Sequence, residues 1–349
     1  MMLRNGRSIK TYCLLQYLFL FTWLSAVGCS GQITSPTVGT IQSPIVQATK
    51  TQSPAPTLTA TSVPSPQPTE TVTPPPASQM QGRLAVLVAE DPVYSSRIDI
   101  YIADTDTGEI MRLTKSAGVD SLSWSPDGQK IAFSSLESNA YSYQIFIINV
   151  DGSELHQLDL DLVGGAHRTE VSWSPRGDRL AFVQRTGADD GWIYTASVDG
   201  TDIQFLTEGN RPSWSPDGKY IAFVRPRRPG TYGDIFIIDP EGKGLKQLTY
   251  NIEADGPIWS PDGNRIAFAG FWLDKDDPAT GYYIMNADGT GLTFLGRNGD
   301  SFPSWSQDGQ RILFTQRGRV YAIDISNLDV VPVEGLTPDL YYAFVLPQP

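Results

Sequence analysis

The sequence predicts an all-β fold: a six-bladed β-propeller of four-stranded antiparallel blades, closed by a C-terminal strand that completes the first blade. Three observations lead there. From residue 82 onward the chain repeats itself, with a half-unit of the form SWSPDGxxIAF centred on Trp124, Trp173, Trp214, Trp259 and Trp305. A second half-unit, IFIIDxxGxxxxxLT, recurs over residues 100–114, 145–159, 193–207, 235–249, 282–296 and 320–334. The span 82–349 then holds about six units of about 45 residues, the length of a propeller blade.

The N-terminus reads as an address. Arg4, Arg7 and Lys10 precede an apolar stretch over residues 12–27, which is short for a membrane span and has the form of a secretory signal. It ends in Ala26-Val27-Gly28-Cys29, which resembles a bacterial lipoprotein signal. That resemblance implies cleavage after residue 28 and lipidation of Cys29. The position three before the cysteine is Ala26, with Leu24 two places earlier. Ordinary cleavage with release, or an uncleaved anchor, are the other readings. Residues 29–80 follow as a Pro/Thr/Ser-rich stalk in which only Lys50 and Glu70 are charged. With no apolar period to bury, this segment is expected to be disordered and extended. Residues 81–349 form the propeller.

Each repeat contains four strand signals. The first ends at the tryptophan, the second is IAF with its flanks, the third is IFII, and the fourth ends in the Leu-Thr pair. Ser-Pro-Asp-Gly joins the first two: proline presets φ, aspartate bonds nearby amides, and glycine accepts positive φ. Asp-Gly, as at Asp151-Gly152, Asp199-Gly200 and Asp288-Gly289, joins the third and fourth. Residues 82–114 lack the tryptophan strand, and Tyr341-Tyr342-Ala343-Phe344-Val345 is a strand signal without a partner. The second is expected to complete the first and remove two exposed edges.

The WSPDGxxIAF…IFIIDxDGxxxxxLT unit resembles the WD40-like (PD40) repeat of TolB-type propellers, a repeat also present in propellers of prolyl-oligopeptidase relatives. The resemblance covers nearly all of residues 82–349. It implies an extracytoplasmic binding module, periplasmic or on the cell surface, that holds an envelope protein or peptide across one propeller face. TolB itself is similar to this chain in its propeller alone, and a tether and stalk stand where TolB has its α/β domain.

Composition narrows the function further. The chain carries 26 basic and 38 acidic side chains, a net charge of −12, which disfavours nucleic acid. Its two cysteines, Cys13 and Cys29, lie outside the propeller, and its histidines are His156 and His167 alone, so no metal or other cofactor is expected. Catalysis is not expected either. No G-x-S-x-G elbow of an α/β-hydrolase is present, and the propeller lyases that resemble this repeat depend on several histidines. The turn aspartates Asp127, Asp217, Asp262 and Asp308 have the spacing of turn residues bonding their own backbone rather than of a metal ring.

Two residue groups are candidates for binding, both opposite the Ser-Pro-Asp-Gly turns. One precedes the inner strands and should converge on the channel mouth: Asp120, His167, Glu170, Arg211, Asp255, Asp300 and Asp339. The other occupies loops that differ from blade to blade: Tyr141, Tyr143, Trp192, Arg225, Arg227, Arg228, Tyr232, Trp272 and Asp274. Aromatic and arginine side chains suit a recognition surface, and equally suit packing beneath their own loops. A glycan is the alternative ligand, and a monomer is expected.

Overall fold

The computed structural model describes residues 82–89, 98–115, 117–136, 142–162, 166–187, 191–228, 232–250, 252–271, 280–297, 299–334, 336 and 341–347. The leader, Cys29 and the stalk lie outside the described residues. Among the described residues there is no helix.

The strands follow the repeat. Unit one contains β1 (Arg83–Ala89), β2 (Ile98–Asp104) and β3 (Ile110–Arg112). Unit two contains β4 (Val119–Trp124), β5 (Lys130–Leu136), β6 (Tyr143–Asn149) and β7 (His156–Gln157). Unit three contains β8 (His167–Trp173), β9 (Arg179–Arg185), β10 (Trp192–Ser197) and β11 (Gln204–Glu208). Unit four contains β12 (Asn210–Trp214), β13 (Ile221–Pro226), β14 (Gly233–Ile238) and β15 (Lys246–Gln247). Unit five contains β16 (Glu253–Trp259), β17 (Arg265–Phe271), β18 (Gly281–Asn286) and β19 (Thr293–Arg297). Unit six contains β20 (Ser304–Trp305), β21 (Arg311–Gln316), β22 (Arg319–Asp324) and β23 (Val330–Pro332). The last strand, β24 (Tyr341–Pro347), pairs antiparallel with β1 from Leu84↔Pro347 to Ala89↔Tyr341, giving the sheet order β24-β1-β2-β3. Units four and five are joined into one eight-stranded sheet by the single pair Gly233↔Ala254.

The fourth strands stop sooner than the sequence suggests in units one, two, four and six. There the ladder ends before the Leu-Thr pair or its equivalent. In unit one both amides of that pair turn to the same carbonyl, Leu113 N to Ile100 O at 2.8 Å and Thr114 N to Ile100 O at 3.3 Å. The Thr114 hydroxyl accepts the Ile100 amide at 2.9 Å, so a side chain supplies the ladder bond that the backbone gives up.

The core is a set of seams between neighbouring units rather than one central mass. Each repeat tryptophan packs against the unit before it. Trp124 meets Ala85, Leu87 and Ile100; Trp173 meets Ile145 and Ile147; Trp259 meets Ile235 and Ile237. Between units six and one the seam is aliphatic, with Leu84, Val86 and Val88 of β1 against Leu313, Val320 and Ala322. This is the packing a four-stranded unit needs, since alone it cannot cover both of its faces.

The tryptophan turns are self-contained. Ser125 Oγ donates to Asp127 Oδ1 at 2.6 Å, the Gln129 amide donates to the same oxygen at 3.0 Å, and Gly128 takes φ +65°. The pattern recurs at Asp217, Asp262 and Asp308. In unit three Arg176 replaces the aspartate, and Ser174 Oγ turns instead to Asp178 at 2.9 Å. The serine hydroxyl bonds hold the Asp127 and Asp262 carboxyls below their usual range, and at Asp217 the neighbouring Lys219 leads the effect and brings the value to about 2. The Asp-Gly hairpins lie at the same end, stitched by Val150 N to Gln129 O and Ala287 N to Asn264 O, both 2.9 Å.

Candidate functional site

At the opposite end of the inner strands the ladder breaks. Register shifts fall between Val119 and Ser121 in β4, Thr169 and Ser172 in β8, Asn210 and Ser213 in β12, and Asp255 and Ile258 in β16. A bulge frees a residue from the pleat and re-aims its side chain. Three residues before the tryptophan, φ is +56° at Glu170, +56° at Arg211 and +57° at Gly256. A left-handed conformation costs a non-glycine residue about 1 kcal/mol. Glycine avoids that cost in unit five, whereas units three and four keep charged side chains in the same conformation.

Those side chains meet. Glu170 Oε1 receives Arg185 Nη2 at 2.6 Å and faces Arg211 Nε at 3.5 Å, and Glu170 Oε2 accepts the Arg211 amide at 2.7 Å. Arg211 Nε also faces Asp255 Oδ1 at 3.7 Å, and its guanidinium lies 4.3 Å above the Phe302 ring. Asp255 Oδ1 accepts the Gly256 amide at 2.8 Å. A Cβ on Gly256 would stand 2.5 Å from Phe302, so the glycine also lets that ring sit beneath Arg211. Asp120 completes the group from unit two, where Arg211, Glu170 and Arg185 all act on it. Three carboxylates against two guanidinium groups leave the cluster with one net negative charge.

The carboxylates differ in acidity. Burial opposes the charge on Glu170, yet Arg211 and Arg185 together outweigh it and hold that carboxyl below its usual range. At Asp255 burial wins over Arg211, with Glu170 adding repulsion, and the value rises. Asp120 is also raised, first by the surrounding protein, with Arg211 opposing. Asp120 stays exposed to solvent, unlike the more enclosed Asp255.

Tyr143 and His167 join this end of the molecule. The Tyr143 amide donates to His167 Nδ1 at 3.4 Å, their rings lie 5.9 Å apart, and burial followed by Asp120 raises the phenol. Asp300 is engaged elsewhere: its carboxylate accepts the Arg317 amide and ties down the β21–β22 turn. Asp339, Tyr141, Trp272 and Asp274 lie outside the described residues.

The remaining loop residues are largely committed to their own fold. Arg225 Nη2 donates to Thr207 Oγ1 at 2.7 Å, and its guanidinium covers Phe236 at 5.0 Å. Arg227 grips Asp234 through two bonds of 2.9 and 2.7 Å. Trp192 is half-buried and opens β10, opposite Gln184 and Glu208. Tyr232, 40% exposed, stacks on Phe271 at 4.1 Å, and Arg228, four residues earlier, is exposed.

Sequence reasoning missed Arg185 and Phe302. Arg185 lies five residues past Leu180, whereas Arg225 lies four past the equivalent Ile221. Strand alternation therefore sends the two arginines to opposite faces, a signal available in the repeat. Phe302 had no such signal, because its role depends on the bulge across the seam. Among the described residues no group of three or more His, Cys, Asp or Glu could hold a metal ion.

Comparison with known proteins agrees with this architecture. Residues 72–243 match the TolB beta propeller domain family, PD40. An uncharacterized protein of Agrobacterium fabrum is 33% identical over 147 residues, covering 36% of this chain and 47% of that protein. The Tol-Pal system protein TolB of Syntrophus aciditrophicus is 36% identical over 80 residues, covering 20% of this chain and 17% of that protein. The chain thus spans less than half the length of these curated relatives. The crystal structure of TolB from Acinetobacter baumannii superimposes with a TM-score of 0.65 at 21% identity, over 77% of this chain and 67% of that one.

Proposed function

We propose, from the premise that the domain is a TolB-like β-propeller, that it is a non-catalytic extracytoplasmic binding module. It takes a protein or peptide partner of the cell envelope at the mouth lined by Asp120, Glu170, Arg211 and Asp255. The observation that supports this is the retention of Glu170 and Arg211 in a backbone conformation that glycine adopts without cost one unit away. Strain of this kind concentrates at functional sites. A negative mouth framed by low-dielectric walls attracts a cationic group of a partner. Lipidation of Cys29 and the stalk over residues 29–80 would hold this mouth near, and away from, a bacterial membrane. A glycan is the second reading, supported by the stacked and partly exposed Tyr232 and Phe271.

The test is capture from solubilised envelope by the full chain, beside a glycan panel. The native chain is expected to capture a protein partner and Asp120→Lys to lose it, with the melting temperature within about 2 °C. Undiminished capture by Asp120→Lys, or binding to glycans alone, would overturn the proposal. Asp255→Asn separates binding from stability. Burial already disfavours the charged form at this position, so the neutral amide is expected to raise the melting temperature by about 2 °C while weakening capture. A variant that loses stability and keeps binding would contradict the assignment.

A further inference from the structure

The seam between units two and three holds a cation that the mouth does not use. Arg168, in β8, is 6% exposed. Its Nη1 donates to Gln144 Oε1 and its Nη2 to the Leu162 carbonyl at 3.4 Å. Both acceptors are neutral, and Asp159 acts on the guanidinium only through space. The buried Nε has no hydrogen-bond partner among the described residues. The same holds for Oε1 of Gln184, opposite Arg168 in the β8–β9 ladder, and for Oγ1 of the adjacent Thr169.

Sister positions in the repeat show what such a seat holds elsewhere. The residue before the first isoleucine of the third-strand motif is Asp99 in unit one, Asp234 in unit four and Gln144 in unit two. Asp99 receives Arg112 Nη2 at 2.6 Å, Thr114 Oγ1 at 2.9 Å and the Ala117 amide at 3.0 Å. Asp234 receives both bonds of Arg227. At unit two an arginine again faces this position, here Arg168 from β8 of the next unit, and the carboxylate is replaced by an amide. A buried guanidinium cannot shed its proton, and burial without a counter-charge is costly.

We propose that Arg168, framed by Gln144 and Gln184, is a carboxylate-binding site. It takes from an external ligand the group that Asp99 and Asp234 supply from within. Planar two-oxygen recognition is what a guanidinium offers, and the sister seats are filled by a carboxylate of aspartate size. The carboxylate can come from a small free acid or from an acidic side chain of a bound partner.

The experiment is thermal melting of the full chain at pH 7, in sodium formate against sodium chloride at equal ionic strength. Formate is expected to raise the melting temperature saturably, by about 3 °C. Gln144→Glu brings the carboxylate from within. It should raise the melting temperature in chloride and abolish the formate response, as Arg168→Gln abolishes it by removing the cation. If Arg168→Gln does not fold, Gln144→Glu alone carries the test. A response to N-acetylaspartate methylamide as well as formate assigns the seat to a partner's acidic side chain, and a response to formate alone assigns it to small free acids. No formate-specific rise in the native chain, or an equal rise in Gln144→Glu, overturns the site. So does an Asp159→Asn variant that loses as much stability as Arg168→Gln while the native chain ignores formate, because Arg168 then has its carboxylate from within.

Discussion

A chain that stops at residue 339 melts at least roughly 10 °C below the full chain, or loses cooperative melting altogether. β24 pairs with β1 over Leu84, Ala85, Val86, Leu87, Val88 and Ala89, so its removal exposes a whole edge of unit one. It also uncovers the seam in which Leu84, Val86 and Val88 meet Leu313, Val320 and Ala322. Loss of about six ladder positions and part of one seam is on the order of 5 kcal/mol. At about 2–4 °C per kcal/mol for a domain of this size, a drop of that extent follows. Differential scanning calorimetry of the two chains decides it. Equal melting temperatures would mean that the first unit is stable with three strands.

Glu170→Gln lowers the melting temperature by about 10 °C. The side chain is 7% exposed and neutralises both Arg185 and Arg211. Removing one member of such a buried group strands the others, at a cost of about 3–5 kcal/mol. Glutamine can still accept the Arg211 amide, so the loss isolates the charge rather than the shape. Replacing Glu170 and Arg185 together by methionine should recover part of the loss, and strict additivity of the two single changes would contradict the coupling. The acid response follows from the same contacts. Because the folded state holds Glu170 below its usual range, its contribution is present above the unfolded value near about 4.3 and is lost as pH falls through the folded value. Asp120 and Asp255 are raised, so they act in the opposite sense: their charged forms oppose folding above their folded values, and protonation relieves this first as pH falls. Melting against pH in the Glu170→Gln chain should therefore lack the final acid loss attributable to Glu170.

The strands and their order were legible because each repeat states them in local chemistry. The tryptophan, the Ser-Pro-Asp-Gly turn and the Asp-Gly hairpin fix strand ends within a few residues, and Asp127 with Ser125 needs nothing outside its own turn. Even the pairing of β24 with β1 could be read, as one strand signal too few at the start and one too many at the end. The candidate mouth was legible only in outline. Glu170, Arg211 and Asp255 stand at similar distances before their tryptophans, which placed them at one end of neighbouring strands. The direction of each side chain depends on the bulges, however, and bulges leave no mark in strand periodicity. Asp300 shows the consequence. It stands at nearly the same offset but bonds the Arg317 amide instead of joining the cluster. Arg227 shows another: in sequence it is a loop arginine beside Arg228, and in the fold it is the counter-ion of Asp234. The carboxylate missing at Gln144 becomes visible only when the repeats are aligned and the arginine partners are known.

The function turns on which end of the molecule meets a partner, and site-specific photocrosslinking measures that directly. A photoreactive residue at position 120, at the charged mouth, is compared with one at position 127, in a turn at the opposite end. Both positions are exposed, so access to the probe is alike. Binding at the mouth yields a discrete envelope-protein adduct from position 120 and none from position 127. An adduct from position 127 alone, or equal adducts from both, would contradict it.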